Sequence, residues 1–226
     1  MRDAAEARPH VRIDRMGDEA LLVTLGDALD LDANRRAHRI AAAVGGSRQS
    51  IPGLGVATPG HASVLVPFDP YRCDEDALRS VLEEIVAAEA TPGPSGEGPL
   101  HEIVVRYGGV DGADLAEVAA RTGLSEAEVV RLHAGVEYHV LVLGFVPGFP
   151  YLGVVPASLD LPRRATPRVR VPAGSVAIAG RQTGIYTFET PGGWHLIGRT
   201  EARLWDATLV PPALLAPGDR VRFVPG

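Results

Sequence analysis

GFVPGFPYLG (residues 144–153), PRRATPRVRVPAGSVAIAGRQTGIY (162–186) and PGGWHLIGRT (191–200) are the stretches that decide the fold. In them Gly/Pro-dense loops alternate with short β-type runs, and no helical period appears from Tyr138 onward. Strands are expected at 138–143, 175–179, 185–188, 195–198 and 220–224. Regular turn punctuation between such strands predicts a closed or nearly closed β-barrel, which removes exposed edges. Charge also sets this segment apart. The 226-residue chain carries a formal charge of −6, whereas residues 144–200 hold six Arg against two acids, Asp160 and Glu189, a local +4. Five arginines fall between Arg163 and Arg181 with no acid among them. A positive, glycine-lined surface inside an acidic protein fits an anionic small molecule or an acidic partner surface.

Upstream of the barrel, TPGPSGEGP (91–99) has three Pro and three Gly in nine positions and reads as a linker. It separates a domain at 1–90 from one at 100–226. In the first, EALLVTL (19–25) and ASVLVPF (62–68) read as strands, joined by others near 11–14 and 51–57. Ala33, Ala37, Ile40, Ala41 and Val44 mark a helix that stops at Gly45-Gly46. Leu78, Val81, Leu82, Ile85 and Val86 mark a second, with Asp74 as N-cap. The order ββαββα predicts an antiparallel or mixed sheet covered on one face by two helices. No catalytic constellation is visible there. After the linker, HEIVVRY (101–107) is a strand. Two short helices follow, with capping signatures at Asp114–Glu117 and Ser125–Glu128, the second running to about His133. The fold class is therefore α+β, a small α+β N-terminal domain followed by a β-barrel.

Composition narrows the function. With 46% hydrophobic residues and mean hydropathy of +0.07, the chain is an ordinary globular protein. No apolar run is long enough to span a bilayer, and MRDAAEARPH lacks the apolar segment of a signal peptide, so the cytoplasm is the expected location. The single cysteine, Cys73, has no companion for a disulfide or a zinc site. All 22 basic residues are Arg. That excludes Schiff-base catalysis, a Walker-A lysine and a kinase-type ATP lysine, so any nucleotide must be held by arginines, backbone amides or a partner protein. The acidic balance, with no long basic face, argues against nucleic-acid binding.

Several residues carry both a chemical and a structural reading. His133, near a helix end, is either a general base or substrate contact, or a helix-terminal side chain interacting with the last carbonyls. His139 and His195 alternate with apolar neighbours and are expected to point away from the core; with His133 they have no metal-ligand spacing, so no metal is expected. The loop with Phe145, Pro147, Gly148 and Phe149 is either a ligand-approached loop stiffened by proline or a barrel corner plugged by aromatics. Arg168 and Arg170 alternate with valines, so both lie on one side of a strand, where they clamp an anion or form a solvated face. Ser175, beside Gly174, lacks a nucleophile elbow and a triad partner, and is read as offering a hydroxyl and an exposed amide. Trp194, after Gly192 and Gly193, is a core anchor or a pocket wall.

Together these three stretches resemble the family of the bacterial 5-oxoprolinase B subunit, also called allophanate hydrolase subunit 1, which includes a sporulation-kinase inhibitor (KipI-like). Weaker agreement extends over nearly the whole chain, from Gly17-Asp18 to Pro217-Gly-Asp-Arg-Val. The resemblance implies a cyclophilin-like barrel of carboxyltransferase-domain type. It also implies a larger partner, the C subunit, in a hetero-oligomer that acts with an A subunit. Such a complex opens 5-oxoproline to glutamate at the expense of ATP, bound by the complex rather than by this chain alone. The resemblance further implies a site between partners drawing on His133 as acid/base, Phe145, Pro147, Gly148, Phe149, Arg168, Gly174, Ser175, Gln182, Thr183, Gly192, Gly193 and Trp194. The alternatives within the resemblance are a carboxyltransferase-like protein acting on urea or a related amide with biotin as carrier, and an inhibitor of a histidine kinase. The sequence departs from the family pattern at Ala134, where a hydroxyl residue is usual, and at Thr187 and Glu201, where proline is usual.

Overall fold

A computed structural model describes residues 11–27, 29–89 and 98–226. The chain divides into two compact units, 1–95 and 96–226. Residues 91–97 of the expected linker lie outside the described residues.

The first unit contains β1 (Arg12–Arg15), β2 (Ala20–Thr24), α1 (Leu31–Gly46), β3 (Thr58–Pro59), β4 (Ser63–Pro67) and α2 (Glu75–Ala88). Its sheet is antiparallel, in the order β1-β2-β4-β3. Alternation along β2 and β4 turns Leu21, Val23, Val64 and Val66 to one face. Ala37, Ile40 and Val44 of α1 and Leu78, Leu82 and Val86 of α2 complete that core. Asp74 caps α2 by accepting from the Asp76 and Ala77 amides, a contact that stabilises a helix by about 1 kcal/mol. The strand expected at 51–57 forms instead at Thr58–Pro59. Residues 51–57 form turns, with only a bridge from Leu54 to Phe68.

The second unit opens with β5 (Leu100–Tyr107), α3 (Leu115–Thr122) and α4 (Glu126–Ala134). Strands β6 (Glu137–Leu143), β7 (Pro150–Gly153), β8 (Arg168–Val171), β9 (Ser175–Ala179), β10 (Gln182–Ile185), β11 (Thr190–Gly192), β12 (His195–Arg199) and β13 (Arg220–Pro225) follow. Six of them and β5 close a seven-stranded barrel in the order β10-β7-β6-β13-β5-β12-β9, and β8 pairs with β11 in a separate two-stranded sheet. The expected α+β class with a closed barrel is therefore observed. Leu115, Val118, Ala119 and Val129 of the two helices join the barrel core. The helices start differently. At α4, Ser125 and Glu128 form a reciprocal capping box. Asp114 precedes α3 but makes no side-chain cap; its carboxylate is engaged elsewhere.

Candidate functional site

Three groups of residues converge in the second unit. The first is an aromatic corner built on the β6–β7 loop. Phe149 meets Tyr151, Tyr186 and Trp194 edge-on at centroid distances of 4.9, 5.2 and 5.7 Å, an arrangement that aligns ring edges with ring faces. Phe145 covers this group at 5.6 Å from Phe149, with backbone φ of 68° and a side chain 59% exposed. A left-handed backbone at phenylalanine is strained by about 1 kcal/mol, and it occurs here at an exposed residue. The loop is fixed where the Thr187 hydroxyl donates to the Pro147 carbonyl at 2.8 Å. Gly148 lies against Trp205. Gly192 allows the Tyr186 hydroxyl to approach so closely that a Cβ there would collide with it. The Gly193 carbonyl accepts from the Arg164 amide at 2.8 Å, and Trp194 is 5% exposed. The corner is a plug of aromatic rings with one ring, Phe145, left in solvent. Burial raises the Tyr186 hydroxyl pKa, opposed by a hydrogen bond from the Trp194 amide and by the charge of Arg163.

The second group is buried. His133 has no exposed surface. Its Nδ1 lies 2.8 Å from the Tyr107 hydroxyl and its Nε2 lies 2.9 Å from Thr183 Oγ1. Thr183 donates its only hydroxyl proton to the Ala177 carbonyl at 3.0 Å. Toward His133 it therefore accepts, which assigns the proton to Nε2 and leaves Nδ1 accepting from Tyr107. The imidazole stacks on Phe223 at 4.7 Å, and burial pushes its pKa down to about 3. At neutral pH the ring is an uncharged polar bridge between α4, β5 and β10. Gln182, half-buried, precedes Thr183 on β10.

The third group corrects the expectation for the arginines. Arg168 Nη1 and Nη2 donate to the two oxygens of Asp114, each at 2.7 Å. Arg164 Nη1 donates to the same carboxylate at 2.7 Å and to Glu117 at 3.1 Å, and the Leu196 amide donates to it at 2.7 Å. Asp114 is 3% exposed. Burial alone would raise its pKa, but the hydrogen bonds from Arg168 and the Leu196 amide and the two guanidinium charges outweigh that and hold it below the usual carboxylate range. Arg170 pairs with Glu189. The stretch has no local acid because its acid arrives from the start of α3, so Arg168 and Arg170 do not form an open anion clamp.

Ser175 and Gly174 also differ from expectation. The Gly174 amide donates to Tyr186 O at 2.7 Å and the Ser175 amide to Pro172 O at 3.3 Å, so neither is free for a ligand. Gly174 is required by a φ of 81° and by the Thr200 carbonyl, which a Cβ would strike. His195 is turned inward rather than outward. It is fully buried, with Nε2 donating to the Pro162 carbonyl at 2.9 Å. The reason is that α3 packs over β12, which buries both faces of that strand. Sequence reasoning missed Asp114, Tyr107, Tyr186 and Trp205. Asp114 carried a signal, since it sits at a helix start, but the signal pointed to a cap.

Beside the aromatic corner, a cavity of about 530 Å³ is lined by Gly174, Tyr186, Thr187, Thr200 and Trp205, together with Arg106, Arg199, Glu201 and Arg203. Among the described residues no group of three or more His, Cys, Asp or Glu side chains converges as a metal site, and no helix is long and apolar enough to cross a membrane.

A closed barrel with helices on its core, an aromatic corner and an adjoining polar cavity defines an α+β barrel protein. The chain belongs to the family of the carboxyltransferase domain, subdomains C and D, whose model matches residues 11–215. It is 45% identical to a protein of Escherichia coli O157:H7 named as the B subunit of 5-oxoprolinase, over 93% of this chain and 94% of that protein. Among solved structures it matches TTHA0988 with a TM-score of 0.78 and 40% identity, covering 96% of this chain and 40% of that one. It also matches the Kluyveromyces lactis urea amidolyase with a TM-score of 0.83 and 23% identity, covering 97% of this chain and 15% of that one, a likeness of fold alone. The chain therefore spans less than half of each of these two solved proteins.

Proposed function

We propose that this chain is the B subunit of an ATP-dependent 5-oxoprolinase, acting in a hetero-oligomer with a larger C subunit and an A subunit to open 5-oxoproline to glutamate. The observation that carries this reading is near-full-length similarity to the Escherichia coli protein of that name. The geometry supports a chain that is inactive alone. Its histidine–hydroxyl pair, His133–Thr183, is sealed in the core, and the buried carboxylate Asp114 is already bound to two arginines. His133 positions β10 beneath the aromatic corner, and the exposed Phe145 ring with Phe149, Gly192, Gly193 and Trp194 forms the wall that the C subunit completes. With no lysine in the sequence, any hold of this chain on the ATP phosphates falls to arginines or backbone amides, and the nucleotide is bound by the complex rather than by this chain alone. Co-expression with homologues of the A and C subunits, followed by assay of 5-oxoproline-dependent ATP hydrolysis, tests the reading. Activity in the full mixture supports it, and no activity there overturns it.

A second reading, a carboxyltransferase acting on urea or a related amide through carboxybiotin, draws on the family model and on the urea amidolyase fold. Saturable binding of a carboxybiotin analogue would favour it over the first.

A further inference from the structure

The outer wall of the barrel carries two arginines where strand pairing disfavours them. Arg106 on β5 and Arg199 on β12 are register partners in an antiparallel pair, both on the exposed face. Like charges directly opposite across two strands repel. Arg106 is compensated, since its Nε donates to Asp111 at 3.0 Å and its Nη1 to Glu201 at 2.8 Å. Arg199 carries no ion pair among the described residues. A third arginine, Arg203, pairs with Asp206 at 3.0 Å.

All three arginines line the cavity of about 530 Å³, where Glu201 is the only acid among the described residues of the wall. Its size falls within the range of small-molecule sites. Trp205, whose side chain also packs against Gly148, is part of the same wall. Glu201 neutralises Arg106 and leaves Arg199 as the uncompensated cation. The wall therefore offers one free guanidinium together with two aromatic residues, Tyr186 and Trp205.

We propose that this cavity binds a small carboxylate, with the Arg199 guanidinium receiving the carboxylate and Trp205 packing against the body of the molecule. A guanidinium presents two parallel N–H donors that match a carboxylate, and such charge-assisted bonds outweigh neutral ones. The choice of 5-oxoproline as the first probe rests on the proposed function; the site itself rests on the charge and shape of the cavity.

Isothermal titration of the full chain with 5-oxoproline, glutamate and succinate, and with 2-pyrrolidinone as the lactam without a carboxylate, tests the proposal. Saturable binding of at least one carboxylate and none of 2-pyrrolidinone is expected. Arg199→Met weakens that binding about tenfold or more, Arg199→Lys has a smaller effect, and Arg35→Met in the first unit leaves it unchanged. Tryptophan emission checks that each variant is folded. In the assembled three-protein mixture, Arg199→Met raises KM for 5-oxoproline by a similar factor. Equal binding by wild type and Arg199→Met, equally tight binding of 2-pyrrolidinone, or no carboxylate binding together with an unchanged KM overturns the proposal. Loss of C-subunit co-purification in Arg199→Met without any carboxylate binding also overturns it, by assigning Arg199 to a partner surface. Carboxylate binding at Arg199 in a mixture with no oxoprolinase activity would leave this site standing and remove the proposed function; activity unaffected by Arg199→Met would do the reverse.

Discussion

Replacing Asp114 by alanine removes the acceptor of four hydrogen bonds, three from guanidinium groups and one from the Leu196 amide. Leaving a buried ion pair with one partner costs about 3–5 kcal/mol. The side chains of Arg164 and Arg168 are 25% and 26% exposed, so water reaches them once the carboxylate is gone, which places the cost at the low end, about 3 kcal/mol. For a unit of this size that lowers the melting temperature by about 10 °C. Both tryptophans of the chain, Trp194 and Trp205, lie in the second unit, so their emission during urea or thermal unfolding reports on that unit alone. A double-mutant cycle with Arg168→Ala should give a coupling of about 2 kcal/mol. The pH dependence has a defined sign. The folded carboxyl is held below its ordinary value, so its contribution is complete above the unfolded range near pH ~4 and is lost as pH falls through the lower folded value. Asp114→Ala should therefore lose part of the acid dependence seen in the wild type. A destabilisation below about 0.5 kcal/mol, or additive effects of the two substitutions, would refute the assignment of Asp114 as the hub that orders β8 and β12.

His133 should remain neutral on NMR titration from pH ~8 down to pH ~4, with its proton on Nε2. Because its folded pKa is depressed, it makes the fold lose stability by about 1.4 kcal/mol per pH unit below the unfolded value of ~6.5; a His133 titration near pH ~6.5 contradicts the sealed environment. Gly192→Ala should destabilise the second unit by about 1–3 kcal/mol through collision with Tyr186, and Tyr186→Phe in the same chain should recover part of that loss; equal stability of Gly192→Ala and wild type in urea unfolding argues against the close approach. At position 145, glycine should be more stable than alanine by about 1 kcal/mol, the reverse of the usual order, because the backbone is left-handed there. Unfolding of Phe145→Gly and Phe145→Ala side by side measures this, and the usual order would show that the strain is absent.

The barrel was legible because its strands are short, β-branched and separated by Gly and Pro at regular intervals. Elsewhere local punctuation hid a strand. Pro150 and Gly153 bound β7, so those residues resemble a loop, and β10 begins three residues earlier than expected because Gly184 weakens a β-type run. Capping chemistry was legible for α4, where both partners lie within one turn. It failed at α3 because Asp114 has stronger partners, 50 and 54 positions away, than its own helix amides. The same non-local pairing explains why the arginine-rich stretch looked like a free anion surface. Residues drawn together by the β5–β12 register, Arg106 and Arg199, are 93 positions apart and share no local pattern. The inward turn of His195 was hidden for a related reason, since alternation along a strand says nothing about a helix that covers its outer face.

As one part of a shared site, this chain should do nothing alone. An omission assay tests that most directly, by measuring glutamate formed from 5-oxoproline and ATP with all three proteins of the complex, with this chain left out, and with this chain alone. Glutamate production only in the complete mixture is the predicted result. Undiminished production without this chain, or production by this chain alone, would contradict the proposed division of the site.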